Sequence, residues 1–475
     1  MLLYLKLKKS FENCNIYTII AFEKRKLPLS IDFENSKMYL KRKIDTALLD
    51  WHKASSRKPL LLRGARQVGK SSAVRELSKH FDYFLEVNFE EQKQVHRLFD
   101  GDLSPKELCN NLSIMYNVPI VPGKTLLFFD EIQSCIPAIS SLRFFYEKYS
   151  ELHLIAAGSL LEFAFDELPS FGVGRVRSMF VYPFSFNEFL SACKENLLLK
   201  TKQKATVNIP LQDVIHQKLL LYLKRFLLLG GMPEVVANYI EGNNFQACQL
   251  VLDDLIISLK ADFAKYKKRV PSSRILEVFE SIVKQTGNKF TYSKVTTEAN
   301  HKQIKEAVEI LIMSGLVIPV THTSANGIPL GAEIDFKKRK MLIFDVGIFQ
   351  RILGLNISDV LFENSFEAIN KGSLAELYVG LELLKSASCY KQQNLYYWQR
   401  EALNSNAEVD YILQKNNEII PVEVKSGTKG SMQSLYLFMK EKKITEGVRF
   451  SLENFSTYNK IKVYPLYAVS DVFCE

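Results

Sequence analysis

The stretch Lys58-Pro-Leu-Leu-Leu-Arg-Gly-Ala-Arg-Gln-Val-Gly-Lys-Ser-Ser72 decides the fold predicted for this chain. Residues 58–64 are mostly apolar and indicate a buried strand, and residues 70–81 have the apolar spacing of a helix. Between them lies the pattern GxxxxGK followed by Ser, whose small residues allow backbone amides to curl round phosphate groups. The spacing predicts a strand, a phosphate-binding loop and a helix in succession. A glycine turn without function is the alternative.

Such a loop predicts binding of ATP together with Mg2+. Lys70 offsets phosphate charge, and the hydroxyl of Ser71 is placed to ligate the metal. The residues expected to contact the nucleotide are Gly64, Ala65, Arg66, Gln67, Val68, Gly69, Lys70, Ser71 and Ser72 of the loop, with Asp130 and Ser159 from later strands.

A second apolar strand ends in two acids. Leu126-Leu127-Phe128-Phe129 precedes Asp130-Glu131, and an aspartate at such a position is suited to hold Mg2+ through water. Glu131 is then placed to orient or deprotonate the water that attacks the phosphate. The pair predicts hydrolysis in addition to binding. The alternative is that both acids cap the following helix.

Two further features are expected beside the phosphates. The strand at residues 153–157 is followed by Gly158-Ser159, so this hydroxyl is a candidate γ-phosphate sensor or the N-cap of the next helix. Arg175 and Arg177 are candidates for stabilising transition-state charge, from the same chain or a neighbouring subunit, or are surface arginines. Short apolar runs alternate with helical stretches here, which predicts an α/β domain with a parallel sheet.

These motifs resemble those of the prokaryotic AAA-type ATPases that carry a C-terminal domain of unknown function. The likeness spans roughly residues 38–427 and rests on Leu61–Ser71, Asp130–Gln133, Ala157–Ser159, Gly174–Val176, Tyr182–Phe189, Gly230–Glu234 and Phe344–Gly347. The resemblance implies an AAA-type ATPase domain that controls the domains behind it.

The pattern of apolar residues divides the chain into five parts. We expect an N-terminal extension at 1–37, a P-loop AAA-type ATPase domain at 38–195, a helical connector at 196–271, a winged-helix-like domain at 272–355 and a small α/β domain at 356–475. The winged-helix expectation rests on helical patterns at 273–286, 292–299 and 302–314, followed by a hairpin that turns at Asn326-Gly327.

Carboxylates in the last part form a second candidate site. Asp410 lies in a predicted strand, and Glu423 and Lys425 share one face of the next because side chains alternate along a strand. With Glu376 on the preceding helix, this order resembles the core of PD-(D/E)XK nucleases. The resemblance implies that Asp410 and Glu423 hold Mg2+, completed by Glu376, and that Lys425 places the attacking water. A solvated strand face or an inert binding platform is the alternative.

Basic residues suggest DNA as a partner. Residues 260–305 contain 11 Lys or Arg against 4 Asp or Glu, within a chain of net charge +10. The winged-helix prediction places His301, Lys302 and Lys305 on or near a recognition helix, with phosphate contacts from Lys267-Lys268-Arg269. A helix face that only packs between domains is the alternative.

Composition sets the remaining expectations. With 47% hydrophobic and 24% charged residues, the chain has the make-up of an ordinary globular protein. Its seven cysteines are scattered singly, which indicates reduced thiols and a cytoplasmic protein. No apolar run reaches membrane-spanning length, so no membrane span is expected. Assembly into a homo-oligomer stays open.

Two hypotheses for function follow. The first is an ATPase whose nucleotide state controls a C-terminal nuclease-like domain that acts on DNA. The second is an ATP-gated DNA- or protein-binding scaffold whose C-terminal domain is catalytically inert.

Overall fold

The computed structural model describes residues 39–101, 103–167, 174–266, 270–295, 300–357, 372–401 and 406–473. The predicted extension at 1–37 and the basic run Lys267-Lys268-Arg269 lie outside these ranges.

The first part of the chain is built on a five-stranded parallel sheet, as predicted. Its strands are β1 (Leu60–Arg63), β2 (Tyr83–Asn88), β3 (Thr125–Asp130), β4 (His153–Ala157) and β5 (Arg177–Phe180). They lie in the order β2-β3-β4-β1-β5. Every residue of β3 and β4 is buried, because helices cover both faces of a parallel sheet.

Helices pack on both faces of this sheet. The helices of this part are α1 (Lys43–Lys53), α2 (Lys70–Ser78), α3 (Pro105–Tyr116), α4 (Ile136–Lys148), α5 (Leu161–Glu167) and α6 (Phe186–Ala192). The next helix, α7 (Asn196–Lys204), packs on α6. Leu60 and Leu62 belong to the hydrophobic core on one face, and Leu61 belongs to the core on the other. The period of two along β1 therefore divides its side chains between two cores.

Four described helices lie in the range predicted for the connector, 196–271: α7 and then α8 (Asp213–Leu229), α9 (Pro233–Gly242) and α10 (Phe245–Asp262). The break between α8 and α9 is set by Gly230, whose φ of +75° is a backbone conformation that favours glycine. The Phe226 ring of α8 lies 5.2 Å from the Phe189 ring of α6, measured between centroids. The connector is therefore packed directly on the first domain.

The next segment contains two of the three predicted helices and the predicted hairpin. Its elements are α11 (Ser272–Gln285), α12 (His301–Met313), β6 (Val317–Thr323), β7 (Ile334–Ile343) and α13 (Val346–Ile352). At the third predicted helix the structure has a short 3-10 turn at Tyr292–Lys294, and residues 296–299 lie outside the described ranges. Within residues 292–295, the part of this stretch that the structure describes, there is therefore no α-helix.

The hairpin and the C-terminal strands form one eight-stranded sheet. The additional strands are β8 (Leu395–Gln399), β9 (Glu408–Lys415), β10 (Glu418–Val424), β11 (Gly447–Ser451), β12 (Ser456–Tyr458) and β13 (Ile461–Pro465), in the order β12-β13-β11-β10-β9-β8-β6-β7. β6 pairs with β8 in parallel, with Val320 opposite Leu395. Hydrogen-bonded sheet therefore crosses the predicted boundary at residue 355.

Three helices accompany this sheet: α14 (Ser373–Ser386), α15 (Gln433–Lys442) and α16 (Val469–Val472). Tyr411 of β9 fixes α14 against the sheet, because its hydroxyl donates to the Glu376 backbone carbonyl at 2.8 Å. A Cβ on Gly380 would lie only 2.4 Å from that hydroxyl oxygen, so the helix needs glycine at this contact. In the described ranges no helix is both long and apolar enough to cross a membrane.

Candidate functional site

The phosphate loop follows β1 and leads into α2, as the sequence predicts. Gly64 and Gly69 have φ values of +142° and +91°, which side chains rarely permit. A Cβ on Gly64 would lie 2.2 Å from the carbonyl oxygen of Val181. The glycines of the pattern are therefore required by the path of the loop itself.

Lys70 lies inside this loop. Its ammonium donates to the carbonyl oxygens of Gly64 at 3.0 Å and Ala65 at 2.7 Å. Burial lowers the pKa of Lys70 to about 8, although the nearby carboxylates of Glu131 and Asp130 oppose the shift. The cation is thus held where the phosphates of a nucleotide would reach it.

Ser71 and Asp130 come together beside Lys70. The Ser71 hydroxyl donates to a carboxylate oxygen of Asp130 at 2.8 Å. Burial raises the pKa of Asp130, and the hydrogen bond from Ser71 opposes that shift. A hydroxyl and a carboxylate are hard oxygen donors of the kind that Mg2+ prefers, so the pair fits this ion.

Glu131 occupies a strained backbone position next to the pair. Its φ of +48° is uncommon for a residue with a side chain and is found preferentially at functional sites. The side-chain amide of Gln133 donates to the Glu131 carboxylate at 2.5 Å. A Cβ on Gly158 would lie 2.2 Å from the side-chain amide oxygen of Gln133, so this glycine makes room for the Gln133 side chain. Gln133 belongs to the motif Asp130–Gln133, but its contact with Glu131 was not predicted from the sequence.

Arg66 connects the loop to the helical connector. Its guanidinium donates to both carboxylate oxygens of Asp262, the last residue of α10, at 2.9 and 3.0 Å. It also pairs with Glu90 at 3.1 Å and lies 3.4 Å from the Ser159 hydroxyl oxygen. Ser159 is therefore near the loop, as predicted. The contact between Arg66 and Asp262 was not predicted from the sequence.

A cavity of about 1040 Å³ opens beside the loop. Its lining includes Lys70, Ser71, Asp130 and Glu131 and many further polar side chains, among them Arg75, Glu76 and Glu91, together with an apolar part. The apolar part includes Tyr39, Leu40, Phe184, Pro233 and Ala237. A cavity of this size and mixed lining suits a nucleotide, with phosphates on the polar side and a base on the apolar side.

Arg42 contacts the phosphate loop and holds it in place. No sequence motif indicated this residue. Its guanidinium donates to the carbonyl oxygens of Val68 at 3.2 Å and Tyr182 at 2.7 Å, and pairs with Glu188 at 3.0 Å. It also lies 4.1 Å from the centre of the Phe184 ring. The motif at Tyr182–Phe189 therefore supports the phosphate loop through Arg42.

Arg175 and Arg177 lie at the other end of the sheet. Arg177 is opposite Leu60, the first residue of β1, whereas the phosphate loop follows the last residue of that strand. Arg175 pairs with Glu147, and its side chain is 47% exposed. The structure therefore does not bring either arginine to the phosphate loop of the same chain. A role for Arg175 in a neighbouring subunit stays a prediction.

The carboxylates of the second candidate site surround a lysine, Lys340, that was not predicted to lie there. Lys340 of β7 is fully buried, and its ammonium contacts Glu376 at 2.8 Å, Glu408 at closer range and Asp410 at 3.9 Å. We call Glu376, Glu408, Asp410 and Glu423 the carboxylate cluster. Burial raises the pKa of Glu376, and the charge of Lys340 only partly opposes this. Lys340 lies in a run of basic residues, which is typical of an exposed segment, so its burial could not be predicted from the sequence.

The other predicted residues of this region are also engaged. An Asp410 carboxylate oxygen accepts the Val424 backbone amide at 2.8 Å, and Lys425 donates to Glu423 at 2.6 Å. Among the residues that the structure describes, no three His, Cys, Asp or Glu side chains are grouped so that they could hold a metal ion. The cluster as it stands does not fit the predicted Mg2+.

A buried network joins the nucleotide cavity to the C-terminal part. Phe184, which lines the cavity, donates its amide to the Gly231 carbonyl at 2.7 Å and accepts from Lys385 of α14 at 2.9 Å. The Gly231 amide donates to the fully buried Asp345 at 2.7 Å. In addition, the Phe186 amide donates to Glu382 of α14. The motifs at 230–234 and 344–347 therefore contact each other, through Gly231 and Asp345.

The basic segment is partly neutralised within the fold. Lys260 pairs with Glu280, Lys265 with Glu90, and Arg274 with Glu277. In contrast, His301, Lys302 and Lys305 are exposed on the first turns of α12.

Comparisons with known proteins match three regions of the chain. An AAA domain matches residues 56–190, a Domain of unknown function (DUF8612) matches residues 221–359, and another Domain of unknown function (DUF4143) matches residues 371–469. No curated protein matches the chain.

Several solved structures are similar at low sequence identity. The Walker-type ATPase of Pyrococcus abyssi is 15% identical, over 66% of this chain and 96% of its own, with a TM-score of 0.42. The Aeropyrum pernix ORC1 protein in complex with DNA is 13% identical, over 66% and 90%, with a TM-score of 0.28. Drosophila ORC bound to DNA is 13% identical, over 66% and 85%, with a TM-score of 0.25.

The domain match at residues 56–190 covers the glycine loop, the contact between Ser71 and Asp130, and Glu131. The chain therefore carries an AAA-type ATPase domain, followed by two domains of unknown function.

Proposed function

We propose that this protein is a Mg2+-dependent ATP hydrolase whose nucleotide state controls its C-terminal domain. One observation carries the proposal: buried Lys70 lies inside the glycine loop, beside the hydrogen bond between Ser71 and Asp130. This arrangement supplies a cation for the phosphates and two oxygen ligands for the metal.

The residues around the cavity have distinct roles in this proposal. Backbone amides of the loop and Lys70 bind the phosphates, while Ser71 and Asp130 hold Mg2+, which neutralises phosphate charge when bound. Glu131, oriented by Gln133, accepts a proton from the attacking water. The apolar side of the cavity, next to Phe184, receives the base.

The buried network supports transmission of the nucleotide state. Phe184 borders the cavity and contacts both Gly231 and Lys385, so a shift of its backbone acts on the connector and on α14 together. The same helix α14 carries Glu376 of the carboxylate cluster. A packed element with two arrangements can couple two sites when both sites bias it, and we propose that α14 is that element.

The output that we favour is ATP-gated binding, with DNA as the proposed ligand. Lys340 in the carboxylate cluster favours binding over metal-dependent cleavage, because the cluster as it stands does not fit Mg2+. Exposed Lys302 and Lys305, at the start of α12, offer phosphate contacts.

Two substitutions test the ATPase. Lys70→Ala should weaken ATP binding and lower turnover by about 100-fold or more, since a phosphate-binding cation is lost. Glu131→Gln should still bind ATP while turnover falls by about 100-fold or more, because only the proton acceptor is removed. Lys106→Ala, at an exposed lysine in the first turn of α3 that does not line the cavity, is the control. Unchanged hydrolysis in either test variant would refute the assignment.

DNA assays test the output. We expect DNA binding that depends on nucleotide and weakens steeply with salt, and a smaller salt dependence for Lys302→Ala combined with Lys305→Ala. We expect no cleavage of supercoiled or linear DNA with Mg2+ or Mn2+. Cleavage by the unmodified protein that is lost in Asp410→Ala would refute this proposed output and would support a nuclease instead.

A further inference from the structure

We propose that the ammonium group of Lys340 is the resident cation of the carboxylate cluster and takes the place of a divalent metal there. The proposal concerns the cluster alone and stands whether or not the first domain hydrolyses ATP.

The position of Lys340 carries the proposal. No part of its side chain is exposed, and its ammonium contacts carboxylates from both α14 and β9. It also lies 5.2 Å from the centre of the Tyr397 ring, which closes one side of the site. Carboxylates from separate elements converge on this one ammonium, as they would on a metal ion.

The remaining oxygens of the cluster leave little for a metal. One oxygen of Asp410 accepts from the Val424 amide, and one oxygen of Glu423 accepts from Lys425. The other oxygen of Glu423 is the cluster's buried oxygen without a partner in the structure. Mg2+ requires about six oxygens in near-octahedral geometry, several of them water. A fully buried ammonium within the cluster occupies the room that this shell needs.

Charge explains why a lysine is required. The carboxylates of the cluster repel one another, and removing Lys340 would leave Glu376, Glu408 and Asp410 without the cation that they share. Such a loss strongly destabilises a fold. Lys340 comes from β7, at the edge of the sheet, so its ion pairs also hold the hairpin to α14 and β9. The cluster therefore stabilises the contact between the hairpin and the C-terminal strands.

Metal binding without nucleotide tests the proposal, with Asp130→Asn present throughout so that the phosphate loop holds no metal. We expect no Mn2+ bound at the cluster when Lys340 is intact, measured by electron paramagnetic resonance and calorimetry. Adding Lys340→Gln should lower the Tm, and Mn2+ should then raise it in a saturable way. Adding Asp410→Asn should abolish that rise.

Lys338→Gln is the matched control, because Lys338 lies two residues away and its ion pairs are at the surface. It should neither lower the Tm as much nor respond to Mn2+. The proposal is overturned if the protein with intact Lys340 binds Mn2+ and loses it on Asp410→Asn. It is also overturned if Lys340→Gln is as stable as the control. Mn2+ binding to the protein with intact Lys340 tests the proposal even if Lys340→Gln does not fold.

Discussion

The guanidinium of Arg66, inside the phosphate loop, donates two hydrogen bonds to the carboxylate of Asp262, 196 residues later in the chain. Glu90 contacts the same guanidinium, so two carboxylates hold Arg66 beside the place where phosphates are expected. ATP brings further anions that compete for this cation. We therefore expect ATP binding to weaken the contact between Arg66 and Asp262 at the end of α10.

Changes at this pair should have opposite effects on ATP binding. Asp262→Asn removes a negative charge near the phosphates and frees Arg66, so ATP should bind several-fold more tightly. Arg66→Ala should bind ATP several-fold more weakly. Calorimetry with a slowly hydrolysed ATP analogue measures both. If both variants bind more weakly, the pair is only structural.

Lys70 should make ATP binding depend on pH. In the free protein burial lowers its pKa to about 8, and bound phosphates should raise that pKa. Binding above about pH 8 therefore takes up a proton, and affinity should fall by up to about tenfold per pH unit there. Calorimetry at pH 8.5 in buffers of different ionisation enthalpy detects the uptake. Lys70→Arg is the comparison, because arginine stays charged and should show no uptake.

Much of the fold follows from local sequence pattern. Apolar runs and helical periodicity predicted β1, β3, β4, α11 and α12 to within a few residues, because burial of one face sets these periods. The glycine pattern and the acids after β3 predicted Lys70, Ser71 and Asp130 at one site, since the carboxyl ends of parallel strands share an edge of the sheet.

The remaining features depend on contacts between distant parts of the chain. Arg175 was a candidate for stabilising charge in the same chain or in a neighbouring subunit, or a surface arginine. Within the same chain, β5 pairs with β1 so that Arg177, at the start of β5, lies at the end of the sheet opposite the phosphate loop. The order of strands in a sheet has no local signal in the sequence. The charged run that contains Lys340 is typical of an exposed edge strand. Its burial becomes evident only once α14 and β9 place their carboxylates against it.

The contact at Gly231 gives a prediction about stability. A Cβ there would lie 2.3 Å from the Phe184 carbonyl oxygen, a backbone atom that cannot yield easily. Gly231→Ala should lower the Tm markedly, with about 2 kcal/mol or more lost. Gly242→Ala is the control, since its nearest neighbour is an Asn244 Cβ at 3.8 Å and alanine is favourable in a helix. Scanning calorimetry compares them, and equal Tm values would contradict a tight contact at Gly231.

Glu376 should make the stability of the C-terminal part depend on pH. Burial raises its pKa above the ordinary value of 4.5, so the folded state binds a proton more tightly than the unfolded state does. This stabilisation is fully present below the ordinary pKa and is lost as the pH rises through the raised value. The Tm should therefore fall between about pH 5 and pH 9 in the presence of a chelator.

Glu376→Gln removes this titration while it keeps a hydrogen-bond acceptor for Lys340. The slope of Tm against pH should become shallower by the contribution of one carboxyl group. Glu446→Gln, at an exposed partner of Lys462, should leave the slope as it is. Since Lys340 remains in both variants, the difference reports the titration of Glu376 alone. An unchanged slope in Glu376→Gln would mean that Lys340 keeps this carboxylate ionised across the whole range.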